Sequence, residues 1–187
     1  MFEMEKKRFG DKCNSVINTN KNDKSGVKVG GIFRAICVRP DGTIRWEDTA
    51  ENLVVNVGLN HILDVVLLSG TQDTTWFVGL TNGSPTPASG DIMTSHSGWT
   101  ENANYSGTRK AYSAIRTNQT VSNSASKAAF AITSNTQTLG GAFINTDTSG
   151  TAGILLCCAA FSGGNKAADS GDTVNVQYDF SAADDGV

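Results

Sequence analysis

Short runs of alternating apolar and polar residues, separated by turn signals, fill the second half of this chain. In DTVNVQYDFS, from Asp172 to Ser181, every second side chain is apolar, as in a half-buried antiparallel strand. Comparable runs recur at the spacing expected of a β-sandwich. They are RKAYSAI from Arg109, KAAFAIT from Lys127, TLGGAFIN from Thr138 and GILLCCAAF from Gly153.

The first half adds a hairpin and one further strand, which brings the predicted total to about eight strands. Between residues 31 and 49, the turn Pro40-Asp41-Gly42 separates two runs of alternating residues, and Asp-Gly is a strong tight-turn signal. The segment TTWFVGLTNG, from residue 74 to residue 83, predicts the further strand. The two adjacent glycines in TLGGAFIN indicate a bulge or a close backbone approach.

One stretch has helical periodicity, NVGLNHILDVVLLSG from Asn56 to Gly70. We expect Asn56 to cap its start and Gly70 to end it in a left-handed conformation. A single amphipathic helix in a β chain must bury its apolar stripe against a sheet. We therefore expect the helix to plug the core, and Leu63→Ala to cost several kcal/mol. The predicted inward stripe is Val55, Leu59, Ile62, Leu63, Val66 and Leu67.

These patterns predict a mainly β fold, an antiparallel β-sandwich of jelly-roll or immunoglobulin type with one amphipathic helix. A chain of 187 residues holds one such core and an extension, but not two large domains. We assign residues 1–30 to a basic N-terminal arm and linker, 31–182 to the sandwich, and 183–187 to a short acidic tail that contains Asp184 and Asp185.

The formal charge is unevenly distributed along the chain. Residues 1–30 carry seven basic and four acidic residues, a balance of plus three, whereas the remainder carries eight and fourteen, a balance of minus six. A basic arm on an acidic domain can dock on an acidic partner or on nucleic acid, and a poorly ordered terminus is the plainer alternative. The acidic domain argues against nucleic acid. The candidate docking residues are Lys6, Lys7, Arg8, Lys12, Lys21, Lys24 and Lys28.

Cysteine usage predicts neither a disulfide framework nor a metal site. Cys157 and Cys158 are adjacent in a predicted strand and would point to opposite faces, so they cannot ligate one ion as a CxxC pair does. We interpret them, with Cys13 and Cys37, as small buried hydrophobic residues in a reducing compartment. No signal-peptide pattern and no run long enough to span a bilayer is present, so we expect no membrane partner.

Residues that could carry chemistry are sparse, and we predict no catalytic residue, no metal and no cofactor. His61 and His96 are isolated from other metal ligands. Neither a GxSxG nor an HExxH motif occurs, and nothing selects one serine as a nucleophile. The segment from Asn145 to Gly150, NTDTSG, resembles the start of a calcium loop, but Leu156 stands where the bidentate acid is needed. A hairpin turn explains this segment better.

A long irregular stretch, SGDIMTSHSGWTENANYSG from Ser89 to Gly107, separates the two halves. Loops of this length are usually functional or packed by their own side chains. Aromatic rings near Arg109, Lys110 and Arg116 could stack on sugars or bases, although core or subunit-interface packing of Trp99, Tyr105 and Tyr112 is favoured. The loop or interface candidates are Met93, His96, Trp99, Tyr105 and Arg109.

From about Gly30 to Ala182, the chain resembles a family of small structural proteins of tailed bacteriophages. Members of that family are virion components, described as head decoration (cement) proteins, tail or fibre proteins. The arm is not part of the resemblance, and no catalytic residue is implied by it. The residues that carry it are ENLVVNVGLNHILD from Glu51, TTWFVGL from Thr74, SGDIMTSHSGWTENANYSG from Ser89, SNSASKAAFAI from Ser122, TLGGAFI from Thr138 and SGDTVNV from Ser170.

The resemblance implies a capsid decoration protein that stabilises the head by bridging major capsid subunits, made in the host bacterial cytoplasm and located on the capsid surface. Its expected partners are the major capsid protein and further copies of itself, as a trimer or a dimer. The alternative is a fibre or adsorption protein that binds a host surface glycan through the long loop. An enzyme that degrades cell-wall polymer is a much weaker alternative.

Overall fold

A computed structural model describes residues 26–184 and shows two antiparallel sheets packed together with one helix among these residues, as predicted for a β-sandwich. The elements, in chain order, are β1 (Val27–Val38), β2 (Ile44–Glu51), β3 (Leu53–Val54), α1 (Asn56–Leu67), β4 (Phe77–Asn82), β5 (Thr100–Asn102), β6 (Lys110–Ala111), β7 (Ile115–Thr117), β8 (Thr120–Ser122), β9 (Ala128–Ala131), β10 (Gln137–Asn145), β11 (Leu155–Ala160), β12 (Lys166–Ala168) and β13 (Thr173–Asp184).

The first sheet has the strand order β2-β1-β13-β8-β7, and β9 also pairs with β13. Its centre is the antiparallel pair β1 and β13, which stay in register from Val27 opposite Asp184 to Val38 opposite Thr173. Because β13 pairs with the whole of β1, the sheet begins at Val27, before the predicted start of the sandwich at residue 31. Asp184, predicted to belong to an acidic tail, is the last residue of β13.

The second sheet has the order β3-β11-β10-β4-β5, with β12 paired to β10 and β6 paired to β4. The two glycines of β10 mark an irregularity, since the pairing with β4 shifts between Leu139 and Gly141. A Cβ atom on Gly140 would lie 1.8 Å from the carbonyl carbon of Gly83. The predicted bulge and close backbone approach are therefore confirmed, and no other residue type fits at position 140.

The main core lies between the two sheets. The predicted alternation of β13 is confirmed by Val174, Val176 and Tyr178, which are fully buried. On β1, Phe33 and Cys37 are buried in the same way, and the ring of Phe33 stacks on Tyr178 with centroids 4.3 Å apart. The two central strands of the first sheet thus present one continuous apolar surface to the second sheet.

The second sheet is covered on its other face as well. A smaller apolar cluster lies there, built on Phe143 and Cys158, whereas their chain neighbours Ile144 and Cys157 point into the main core. Gly79 makes room for the Phe143 ring, since a Cβ atom at that position would lie 2.2 Å from it. The complete second cluster is Val55, Met93, Trp99, Phe143, Leu155 and Cys158.

The predicted orientation of the helix is wrong. The only buried position of α1 is Gly58, where an added Cβ would lie 2.6 Å from the carbonyl oxygen of Leu156. The helix therefore sits on its glycine, and Ile62 only partly reaches the main core. Because this close approach sets the rotation of the helix, much of the predicted inward stripe faces solvent, including Leu63 and Leu67.

The predicted ends of the helix are also corrected. The N-cap is Val55, without a side-chain hydrogen bond, because tertiary backbone bonds fix the entry: Val55 N–H donates to Leu156 O and Asn56 N–H to Ser89 O. At the other end, α1 stops at Leu67 and the left-handed residue is Ser69, with φ 59°. Gly70 still closes the turn, since its N–H donates to Asp64 O at 2.8 Å.

Candidate interaction surface

Arg109, predicted as a loop or interface residue, is buried in the domain's own structure. Its guanidinium forms a bidentate pair with Glu101, at 2.8 Å from Nε and 2.6 Å from Nη2. Further N–H groups donate to Asn145 Oδ1 and to the carbonyl oxygens of Asp147 and Gly150. All five guanidinium N–H groups are thereby used, so Arg109 fastens the β10–β11 connection and has no donor left for an external ligand.

This arrangement also accounts for the NTDTSG segment. Residues 146–154 join β10 to β11, which pair antiparallel, so the segment is a hairpin connection. Asn145 and the carbonyl oxygens after it accept hydrogen bonds from Arg109 rather than facing an ion. Within residues 26–184, no three His, Cys, Asp or Glu side chains come together as a metal site.

Other candidates of the long loop pack into the protein. Met93 and Trp99 belong to the smaller apolar cluster, and Tyr105 belongs to the main core, where its ring packs edge-on against Phe130. Trp99 also donates from Nε1 to the Asp91 carboxylate at 3.0 Å. Core packing is therefore the use of these three side chains within the chain, and the rings of Trp99 and Tyr105 are not presented to a sugar.

The two histidines have structural contacts. His96 is half-buried, stacks on Trp99 with centroids 3.8 Å apart, and has Nδ1 3.0 Å from Trp99 O. His61 Nε2 lies 3.3 Å from Asp73 Oδ2, and its ring packs edge-on against Trp76. His61 thus ties α1 to the segment that leads into β4.

Two buried polar groups lie between the sheets and are satisfied internally. The Tyr178 hydroxyl accepts hydrogen bonds from Asn52 Nδ2 at 2.9 Å and from Cys157 Sγ at 3.3 Å. Burial raises the pKa of Tyr178 well above its usual value, and it raises the pKa of the Cys157 thiol to about 12. Both groups are therefore held neutral, which suits a structural role and opposes nucleophilic chemistry.

A third polar cluster joins β2 to the segment around β12. The Asp48 carboxylate lies 2.7 Å from Lys166 Nζ and accepts hydrogen bonds from Ser162 Oγ and Gly163 N–H. Burial alone would raise the pKa of Asp48, but these hydrogen bonds outweigh burial and lower the pKa to about 2. The cluster carries an ionised, fully bonded carboxylate and not an acid–base pair.

The main unsatisfied feature of the described residues is apolar. At the C-terminal end of α1, three large aliphatic side chains of the helix and that of its C-cap residue project into solvent: Leu63 is 52% exposed, Val66 71%, Leu67 70% and the C-cap Leu68 72%. Scattered exposed aliphatic residues are ordinary, but Leu63, Val66 and Leu67 stand at spacings of three and four on one helix face, and such a cluster is of the kind that marks an interaction site. We call these four residues the α1 face.

A shallow groove borders the α1 face. It is lined by Ile62, Val65 and Val66 on the helix and by Gln72, Asp73 and Trp76 on the segment that follows, with His61 at its rim. Neither Lys nor Arg contributes to this lining, and none of residues 46–108 is Lys or Arg. The face is therefore apolar with an acidic border, which selects an apolar partner with basic groups.

The sequence predicted the stripe of α1 but assigned it to the core, and it did not include Leu68. A signal was present in the sequence, because a 12-residue helix with aliphatic side chains on more than one face has more apolar surface than one sheet can cover. Of the basic docking candidates, only Lys28 lies in the described residues, where it is exposed on β1. Lys6, Lys7, Arg8, Lys12, Lys21 and Lys24 lie outside them.

No protein-family model matches the chain, and no curated protein is significantly similar to it. Among residues 26–184, no helix combines the length and the apolar character needed to cross a bilayer.

Proposed function

We propose that the protein is a structural component of a tailed-phage virion, a capsid decoration protein that docks on the major capsid protein through the α1 face. The observation that carries the contact is the exposure of Leu63, Val66, Leu67 and Leu68 close to one another in sequence, on a domain in which the polar groups of Arg109, Tyr178 and Asp48 are satisfied internally. The virion assignment is supported by the sequence resemblance.

The physical case for docking is the free energy of the apolar surface. Burying a Leu or Val side chain contributes about 1.5–3 kcal/mol, so four such residues give a useful contact even after the cost of association. A lattice of capsid subunits offers the same contact many times, and copies that also bind one another gain avidity. A dimer or trimer on a symmetric junction of the shell fits this requirement.

The proposal is tested by binding purified protein to capsids that lack it. Leu63→Gln/Leu67→Gln should lower occupancy at least tenfold, because it removes two aliphatic side chains from the contact. The matched control is Ile44→Gln/Ile115→Gln, which changes two exposed isoleucines on the other sheet, 57% and 66% exposed, and should bind like the parent. If both double variants occupy the capsid equally, the α1 face is not the surface that docks.

The copy number in purified virions separates decoration from the fibre alternative. A decoration protein should be present at a level comparable to the major capsid protein, whereas a fibre or adsorption protein should be scarce. Scarcity would overturn the decoration proposal. Clearing of cell-wall polymer by the purified protein on a zymogram would contradict the prediction that the protein is not an enzyme.

A further inference from the structure

Before it docks, the free protein would expose the α1 face to solvent. Four exposed aliphatic side chains, three on one short helix and one at its C-cap, favour self-association unless something covers them. Their border is acidic, since Asp64 is exposed on α1 and Asp73 lies in the groove beside it. A matching cover needs apolar side chains interspersed with Lys or Arg.

The first residues of the chain have this composition. In MFEMEKKRFGDK, the apolar residues Phe2, Met4 and Phe9 flank the basic run Lys6-Lys7-Arg8. Residues 1–12 carry four basic and three acidic residues, a balance of plus one, and three of the basic residues are consecutive in Lys6-Lys7-Arg8. Hydrophobic contact and charge complementarity therefore both favour pairing of this segment with the α1 face.

The connection is long enough for the pairing to occur within one chain. Residues 13–25, which link this segment to Gly26, span up to about 43 Å when extended, whereas a domain of this size has a radius of gyration of about 15 Å. The linker is thus longer than twice that radius, so the segment can contact surface well away from Gly26. Tethering gives an effective concentration of the order of millimolar, so even a weak contact is occupied.

We propose that residues 1–12 bind the α1 face of the same chain in the free protein and leave it when the face docks. Only the second part of this proposal, the release of the segment on docking, rests on the proposed function. This proposal and a direct contact between the basic residues and the shell predict opposite effects on capsid occupancy. A segment that competes for the α1 face lowers the occupancy, whereas a direct contact raises it.

Limited trypsin digestion of the full chain tests the first half without capsids. Cleavage after Lys6, Lys7 and Arg8 should be about tenfold slower in the parent than in Leu63→Gln/Leu67→Gln, because a protease cuts the released segment in proportion to its population. Cleavage after Lys21 and Lys24, which lie outside the segment, is the internal reference. Ile44→Gln/Ile115→Gln should leave the protection intact.

Two outcomes overturn the proposal. One is the same cleavage rate after residues 6–8 in the parent and in the α1 double variant, once urea midpoints show that both are folded. The other is loss of the protection on dilution, which would mean that the contact forms between chains.

The second half is tested with Lys6→Gln/Lys7→Gln/Arg8→Gln in the capsid-binding assay. Competition predicts higher occupancy than the parent, whereas a direct basic contact with the shell predicts lower occupancy. Lower or unchanged occupancy overturns the displacement step, and it does so independently of whether the α1 face docks.

Discussion

The guanidinium of Arg109 joins Glu101, eight residues earlier in the chain, to the stretch from Asn145 to Gly150, which lies 36 to 41 residues later. The sequence predicted a strand beginning at Arg109 and an interface role for its side chain. It could not predict the burial, because a charged residue is buried only where the fold supplies a carboxylate and enough acceptors. Those acceptors come from a hairpin that Arg109 itself organises.

Asp48 is the residue for which a pH effect is expected. Its pKa is about 2 in the folded protein and near the ordinary 3.8 when unfolded, so as pH falls the unfolded state takes up the proton first. The stabilising contribution, of the order of 2 kcal/mol, is therefore complete above about pH 4 and lost as pH falls toward 2. Asp48→Asn should abolish this part of the acid-induced loss of stability.

The measurement is the free energy of unfolding in urea at pH 7 and at pH 2.5. Glu47→Gln, which changes an exposed carboxylate next to Asp48 on β2, is the control for the loss of one negative charge. If Asp48→Asn loses as much stability between the two pH values as the parent does, the Lys166 and Ser162 contacts do not hold the carboxylate as described.

At the scale of elements, the longer strands and the first hairpin followed from alternation and turn residues. The short strands β3, β5, β8 and β12, which raise the number of strands in residues 26–184 from the predicted eight or so to 13, and the seating of α1 did not. Periodicity locates a helix and its apolar positions, but the face that packs is selected by the partner surface. Here the partner is the backbone of β11 at Leu156, and Gly58 gives the closest approach. The remaining aliphatic residues are left outside by the geometry of that one contact.

This seating reverses the expectation for Leu63. Because Leu63 is half exposed, Leu63→Ala should lower the free energy of unfolding by less than about 1 kcal/mol. Leu155→Ala, at a fully buried position of the smaller cluster, should cost about 2–5 kcal/mol. Urea denaturation of both variants checks the pair. A larger loss for Leu63→Ala than for Leu155→Ala would place the helix where the sequence had put it.

At the scale of the whole molecule, the second sheet is shared by two apolar cores. Cys157 points into the main core and Cys158 into the smaller one, as their adjacency in a strand predicted. Burial raises the pKa of both thiols, and that of Cys37 to about 11. Since one strand carries both side chains, neither core can open without disturbing the other.

We therefore expect Cys157 and Cys158 to become reactive together. In native protein at pH 8 both should resist a thiol reagent, because they are inaccessible and un-ionised. In a urea series, peptide mapping of the modified protein should show both thiols labelled in the same transition as the loss of circular dichroism. Labelling of Cys158 at lower urea than Cys157 would show that the smaller core opens by itself.

The sequence by itself determined the mainly β class, the first hairpin, the alternation of β13 and the need for glycine in β10, because these depend on local periodicity and backbone geometry. Tertiary structure decided which apolar residues are covered. Trp99, Tyr105 and Arg109 are buried, whereas Leu63 and Leu67 are exposed. Burial depends on the surface opposite each side chain and not on the side chain alone.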